Sequence, residues 1–354
     1  MRIAARASRL ARPALVASVL LSQIAYASIG PATVRRDRVD YADAIADAAK
    51  REALLNIVKL RYGDTRVDQL VAGYTVEGRL RADATLFRGD FELSDDVRFG
   101  AEGVFSDRPT VTYTPIRGSE FARVMLTPIP PSDLFAAAAT GTAELVLGLG
   151  VQSMNRLRNR QLFLRRGPDL DPEFARALDL IDELRRDGRI GFSFGQRGES
   201  RNVSLVIAEG GDADPRVREL LGLLDVDPEA RAFPIIFGFG LDPAGGIAVF
   251  TRSLIEILGE IGAEMEVPEG DVEDGRTFRT PAVSTTGLPR IQVNTGRLRP
   301  LNAYVAIDHL GHWFYIDETD FESKTVFSAL MLILTLVERT GGDRQLPVIT
   351  IPTG

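Results

Sequence analysis

The run Ala303-Tyr304-Val305-Ala306-Ile307-Asp308-His309-Leu310-Gly311-His312-Trp313-Phe314-Tyr315-Ile316-Asp317, continuing into Glu318-Thr319-Asp320-Phe321-Glu322, decides the fold. Two stretches rich in β-branched and aromatic residues flank a polar middle, which is a hairpin pattern, and a helix over 320–338 follows. The same order recurs upstream. Residues 232–250 place the strands 233–239 and 247–250 around the turn Asp242-Pro243-Ala244-Gly245-Gly246, before a helix from Thr251 to about Gly262. Residues 189–207 pair 190–194 with 203–207, and Asp214 then caps a helix with Pro215 in its first turn. Residues 97–113 give two strands around Ser106-Asp107-Arg108-Pro109 and a helix over 119–126. Four strand–strand–helix units predict an α+β fold, with antiparallel sheets and helices on one face.

Two further helices read clearly. Over 40–62, Tyr41, Ile45, Ala48, Leu55, Val58 and Tyr62 recur on one face, Asp40 is the expected cap and Gly63-Asp64 the stop. Over 171–186, Asp171 caps, Pro172 occupies the first turn and Gly188 terminates. Apolar residues thin out between about 264 and 289, predicting an exposed, mobile loop. Residues 158–171 are the expected linker, dividing an N-terminal α+β region, 28–160, from a C-terminal domain, 161–354.

Residues 1–27 are read as a Sec-type export signal. Arg2, Arg6, Arg9 and Arg12 precede an apolar stretch beginning at Ala14, and Ala25-Tyr26-Ala27 ends it with small residues at the cleavage positions. The stretch is about 11 residues, short of the roughly 20 that a spanning helix needs. An uncleaved N-terminal anchor is the alternative. No transmembrane span is expected after signal removal, and the address is periplasmic.

Composition narrows the chemistry. The chain has 354 residues, 45% hydrophobic and 26% charged, which excludes disorder, and its 33 Gly and 19 Pro lack the period of a fibrous rod. No Cys is present, so disulfides, thiolate zinc sites, iron–sulfur clusters and a Cys nucleophile are excluded. The net charge is −7 and falls to −11 when the four signal arginines are set aside, which excludes nucleic-acid binding by composition. No P-loop, dinucleotide fingerprint, G-x-S-x-G or H-E-x-x-H motif occurs, and no cofactor is expected.

Several residues remain as candidates. His309 and His312 could seed a metal site completed by Asp308 or Asp317, although their spacing within a hairpin turn need not bring the rings together. A hydrolase or metal-dependent enzyme would be built on Asp308, His312, Asp317 and Asp320. The competing reading of the acidic stretch is a capping box between Thr319 and Glu322. Ser323 and Lys324 are neighbours on a helix, about 100° apart, and do not form a dyad. Residues 326–337 are apolar nearly all round, so that helix is either core or shared with a partner, with Leu330 and Leu334 as contact candidates. Trp313 and Tyr315 belong either to a core strand or to a ligand-stacking surface.

The segments Ile29-Gly30-Pro31, Asp37-Arg38-Val39-Asp40-Tyr41 and Leu54-Leu55-Asn56-Ile57-Val58-Lys59-Leu60-Arg61-Tyr62 resemble the start of a family of uncharacterised exported proteobacterial proteins. Tyr113-Thr114-Pro115-Ile116-Arg117-Gly118-Ser119-Glu120-Phe121, Val151-Gln152-Ser153-Met154-Asn155 and Thr251-Arg252-Ser253 continue it, as do Ser323-Lys324-Thr325-Val326-Phe327 and the closing Pro347-Val348-Ile349-Thr350-Ile351-Pro352-Thr353-Gly354. The resemblance implies an envelope address and no activity. Family members resemble lipoproteins with a Cys before Ile-Gly-Pro; Ser28 stands near that place here, so a lipid anchor is not expected. The expectation is a non-enzymatic periplasmic module that binds or scaffolds an envelope partner or a second copy of itself, with peripheral membrane contact open. The alternatives are the enzyme above and a small-ligand binder using strand 313–316.

Overall fold

A computed structural model describes residues 31–64, 70–83, 104–116, 118–140, 143–163, 171–197, 200–242, 244–281, 290–341 and 349–352. Residues 1–27, read from sequence as an export signal, lie outside the described residues. Helix α1 (Pro31–Arg61) begins nine positions before the expected cap, so Asp40 is internal, and Pro31 takes the first position, where its missing N–H costs nothing. Its end is as expected. The Gly63 amide reaches the Leu60 carbonyl, the Asp64 amide reaches Lys59, and Gly63 takes φ +72°, a Schellman closure.

Contacts separate within α1. Residues Met1–Arg51 form one unit and Glu52–Gly354 the other. In the first, Lys50 pairs with Asp47 at 3.3 Å. The second is α+β.

Its largest sheet has strand order β4-β3-β8-β7-β6-β5, with β3 (Val151–Met154), β4 (Leu157–Arg158), β5 (Ile190–Arg197), β6 (Ser200–Ile207), β7 (Ala232–Phe237) and β8 (Ile247–Thr251). Strands from both sides of residue 160 share this sheet, so the division expected at 160/161 falls inside one packed unit. The β5–β6 hairpin forms as expected. The unit over 232–250 is a correction: β7 and β8 pair in parallel, Ile235 beside Ile247 and Phe237 beside Val249. A nine-residue link, 238–246, makes the crossover with no helix among its described residues, shorter than the dozen residues usual for a parallel pair. The turn residues are still what fold it. The Asp242 carboxylate accepts the Ala244 and Gly246 amides, and Gly245 takes φ +80°.

Helices α3 (Pro131–Thr140) and α5 (Pro172–Arg186) cover this sheet, α3 against β5, β6 and β7, α5 against β4 and β5, and α4 (Ala143–Gly150) packs against both helices. Phe135, Phe174 and Phe233 are fully enclosed between them, each burial contributing roughly 1.5–3 kcal/mol. Asp171 caps α5 and Asp214 caps α6 (Pro215–Leu224), each carboxylate accepting the amide two residues on. Ser253 and Glu256 form a capping box at α7 (Leu254–Glu264).

A second sheet has the order β10-β11-β9, from β9 (Asn294–Gly296), β10 (Ala303–His309) and β11 (His312–Asp317). The β10–β11 hairpin turns through Leu310 and Gly311 at φ +52° and +79°, both left-handed. Val305, Ile307, Phe314 and Ile316 are buried on one face, and Tyr304 meets Phe327 of α9 (Phe321–Gly341) edge-on at 6.1 Å. In the third sheet, β2 (Val104–Ile116) lies between β1 (Leu70–Asp83) and β12 (Ile349–Pro352). Here the sequence reading fails: Ser106 to Pro109 are inside β2, paired with Arg81 to Gly78, and helix α2 (Gly118–Leu126) follows. Pro109 pairs with Gly78 of β1, and the described β12 pairing begins beside it at Thr110.

The segment after α7 also departs from expectation. Up to residue 281 much of it is exposed, as expected, but it is not without structure. It carries the short helix α8 (Glu269–Glu273), buries Met265 and Asp271, and is bonded to the end of α1. Residues 282–289 lie outside the described residues.

Candidate functional site

The hairpin and helix that carried the sequence candidates separate them. His309 and His312 are cross-strand partners flanking the two-residue turn. His309 lies edge-on to Tyr62, ring centroids 5.6 Å apart, and burial lowers its pKa. The Nδ1 of His312 is enclosed. Asp308, beside the turn, is exposed. Asp317 and Asp320 belong to the opposite end of the hairpin. Asp317 is five residues beyond His312 along the strand, about 16 Å. Among the described residues, no group of three or more His, Asp or Glu is placed to hold a metal ion. The postulated cluster of Asp308, His312, Asp317 and Asp320 therefore does not converge.

Asp317, Glu318 and Asp320, at the far end, each have a local partner. The Asp317 carboxylate accepts the Thr319 hydroxyl at 2.6 Å and its amide at 2.8 Å, which holds its pKa below the ordinary value. Asp320, not Thr319, caps α9 by accepting the Ser323 amide at 3.0 Å, so the expected Thr319–Glu322 box is displaced by one residue. The Ser323 hydroxyl accepts the Gln292 amide at 2.8 Å, and Lys324 pairs with Glu318. These contacts are structural.

Leu330 and Leu334 are buried, at 0% and 5% exposure, together with Val326, Phe327 and Ile333, which assigns the apolar helix to the core and removes both leucines as contact candidates. Trp313 and Tyr315 stand differently. They alternate with the buried Phe314 and Ile316 and are only partly covered. On their face, Trp313 is flanked across the strands by Gly296 and Asp308, and Tyr315 by Asn294 and Ala306. Gly296 and Ala306 are too small to cover a ring. The Arg299 guanidinium lies 5.5 Å from the indole centroid, and in the same β9–β10 connection Leu298 and Leu301 are 85% and 105% exposed.

A cleft of about 700 Å³ opens where α1 ends. Arg61 forms its fixed wall. It donates to the carbonyls of Ala263 at 2.8 Å and Phe278 at 2.7 Å and to the Thr280 hydroxyl at 3.0 Å, with its guanidinium 3.6 Å from the Phe278 ring centroid. The Tyr62 hydroxyl donates to the buried Asp271 carboxylate at 2.7 Å. Burial, reinforced by that bond, raises the Tyr62 pKa well above its ordinary value. Arg276 bonds the other Asp271 oxygen at 3.1 Å, and Arg279 pairs with Glu269. On the far side, the Phe163 ring lies directly against α7 at Gly259, where any Cβ would overlap it.

No family model matches the chain, no curated protein matches it, and no solved structure does.

A second set of buried charges braces α7 without forming an open site. Arg252 is 3% exposed and donates to the carbonyls of Leu149, Gly148 and Arg160, and burial pushes its pKa down to about 10. Glu260 accepts the Leu162 and Phe163 amides, and Arg160 pairs with Glu264 at 3.1 Å. Burial raises the Glu264 pKa against that pairing. These residues, the cleft residues Arg61, Phe163, Arg276 and Arg279, and the buried Asp271 behind them carry no mark in the sequence reading. The available signal was the basic-aromatic run Arg276-Thr277-Phe278-Arg279 inside an otherwise acidic stretch.

Proposed function

We propose that this chain is an exported cell-envelope protein that acts by binding, and that it engages its partner through the outer face of the β10–β11–β9 sheet. The observation that carries this reading is the pair Trp313 and Tyr315, partly open between small neighbours, with exposed Leu298 and Leu301 alongside. Aromatic rings with a polar edge supply large contact area at low entropy cost, which is why they anchor interfaces. Of the two surfaces that the sequence offered, the apolar helix contributes Leu330 and Leu334 to the core, and the sheet face is left.

The export signal read in residues 1–27 supports the envelope address, and no helix among the described residues is long and apolar enough to cross a membrane. The partner is an envelope protein or a second copy of the chain. Capture from envelope extract, compared between the unaltered chain and a Trp313→Ala/Tyr315→Ala variant, tests the reading.

A further inference from the structure

We propose that the cleft at the end of α1 binds a small organic anion, a phosphate or carboxylate head carried on a flat apolar body. Its volume of about 700 Å³ falls in the range of small-ligand sites. Three guanidinium groups, Arg61, Arg276 and Arg279, line it, and no Asp or Glu does among the described residues, in a chain whose net charge is −7. The acids that pair with Arg276 and Arg279, namely Asp271, Asp274 and Glu269, are outside the lining.

The three arginines have different tasks. Arg61 is immobilised by its carbonyl bonds and its stacking on Phe278, so it supplies a fixed positive wall. Arg276 and Arg279, at 52% and 68% side-chain exposure, are held by Asp271, Asp274 and Glu269 and engage a ligand by exchanging those carboxylates for its anionic head, whose oxygens the guanidinium fork matches. Phe163, Phe278 and Tyr62 give the cleft its aromatic surface, which suits a planar body rather than a bare inorganic ion. This site is separate from the Trp313 face, and the two are tested by different variants.

The test is calorimetric titration of the full chain with phenyl phosphate, with phenol and inorganic phosphate as the two halves of that probe, and with thermal unfolding to verify that each variant is folded. Phenyl phosphate is expected to bind at least about tenfold more tightly than either half, and Arg276→Gln/Arg279→Gln to weaken it by about tenfold or more, because charge-assisted bidentate contacts are lost. Arg231→Gln, which removes a surface arginine paired with Asp212, is expected to change nothing. Phenyl phosphate binding no tighter than phenol, or binding undiminished in the folded double variant, overturns the proposal. So does an equal loss in Arg231→Gln.

Discussion

Asp308 and Asp317 occupy opposite ends of one hairpin, Asp308 opposite Trp313 beside the turn and Asp317 opposite Ala303 at the open end. That separation divides the acidic segment into local roles. Asp317 orders Thr319, Asp320 starts a helix, and Asp308 borders the aromatic face.

The cap assignment is testable. Asp320→Ala removes the acceptor for the Ser323 amide and is expected to lower stability by about 1 kcal/mol, read by urea unfolding. Thr319→Ala is expected to cost less, since Thr319 is not the cap. The reverse order would return the cap to Thr319.

Leu330 distinguishes core from interface. Leu330→Ala is expected to lower stability by about 2–5 kcal/mol through a cavity, while Leu332→Ala, at a position 38% exposed, stays within about 1 kcal/mol. Equal effects on unfolding would contradict the burial assigned to α9.

Tyr62→Phe leaves one oxygen of the buried Asp271 carboxylate without its donor and is expected to cost about 1–3 kcal/mol. An alkaline limb accompanies it. The folded state holds the phenol proton more tightly than the unfolded chain, so this contribution is complete below the unfolded value of 10.0 and is lost as pH rises above it. The variant should flatten stability against pH in that range; an unchanged slope would remove Tyr62 as its source.

His309 acts at the acid end. Its folded pKa is depressed by burial, so its contribution is complete above the unfolded value of 6.5 and is lost as pH falls through the lower folded value. His309→Gln is expected to reduce the loss of thermal stability just below pH 6.5. A profile identical to that of the unaltered chain would show that another group governs the window.

Local chemistry made much of this fold legible. Asp171-Pro172 and Asp214-Pro215 announce helix starts, and Gly63 and Gly188 announce stops, because caps satisfy the first and last backbone groups within a few residues. The 303–317 hairpin and the burial of Leu330 follow from apolar patterning. Pairing at a distance does not leave such marks. The bonds from the Asp242 carboxylate to the Ala244 and Gly246 amides carry no information about strand direction, and β8 lies between β7 and β3 in the sheet. The cap at α9 was misplaced by one residue because Thr319 and Asp320 are both good caps, and Asp317 engages the first. The cleft was hidden for a similar reason: Arg61 and Phe278 are more than 200 positions apart, and their stacking exists only once α1 and the segment after α7 have packed.

The central claim, binding through the outer sheet face, is tested most directly by quantitative capture from envelope extract with three folded forms of the chain: unaltered, Trp313→Ala/Tyr315→Ala, and Leu332→Ser. The account predicts one species, or the chain itself, retained by the unaltered form and by Leu332→Ser and lost from the double variant. Retention unaffected by the double substitution, or lost only with Leu332→Ser, would contradict it.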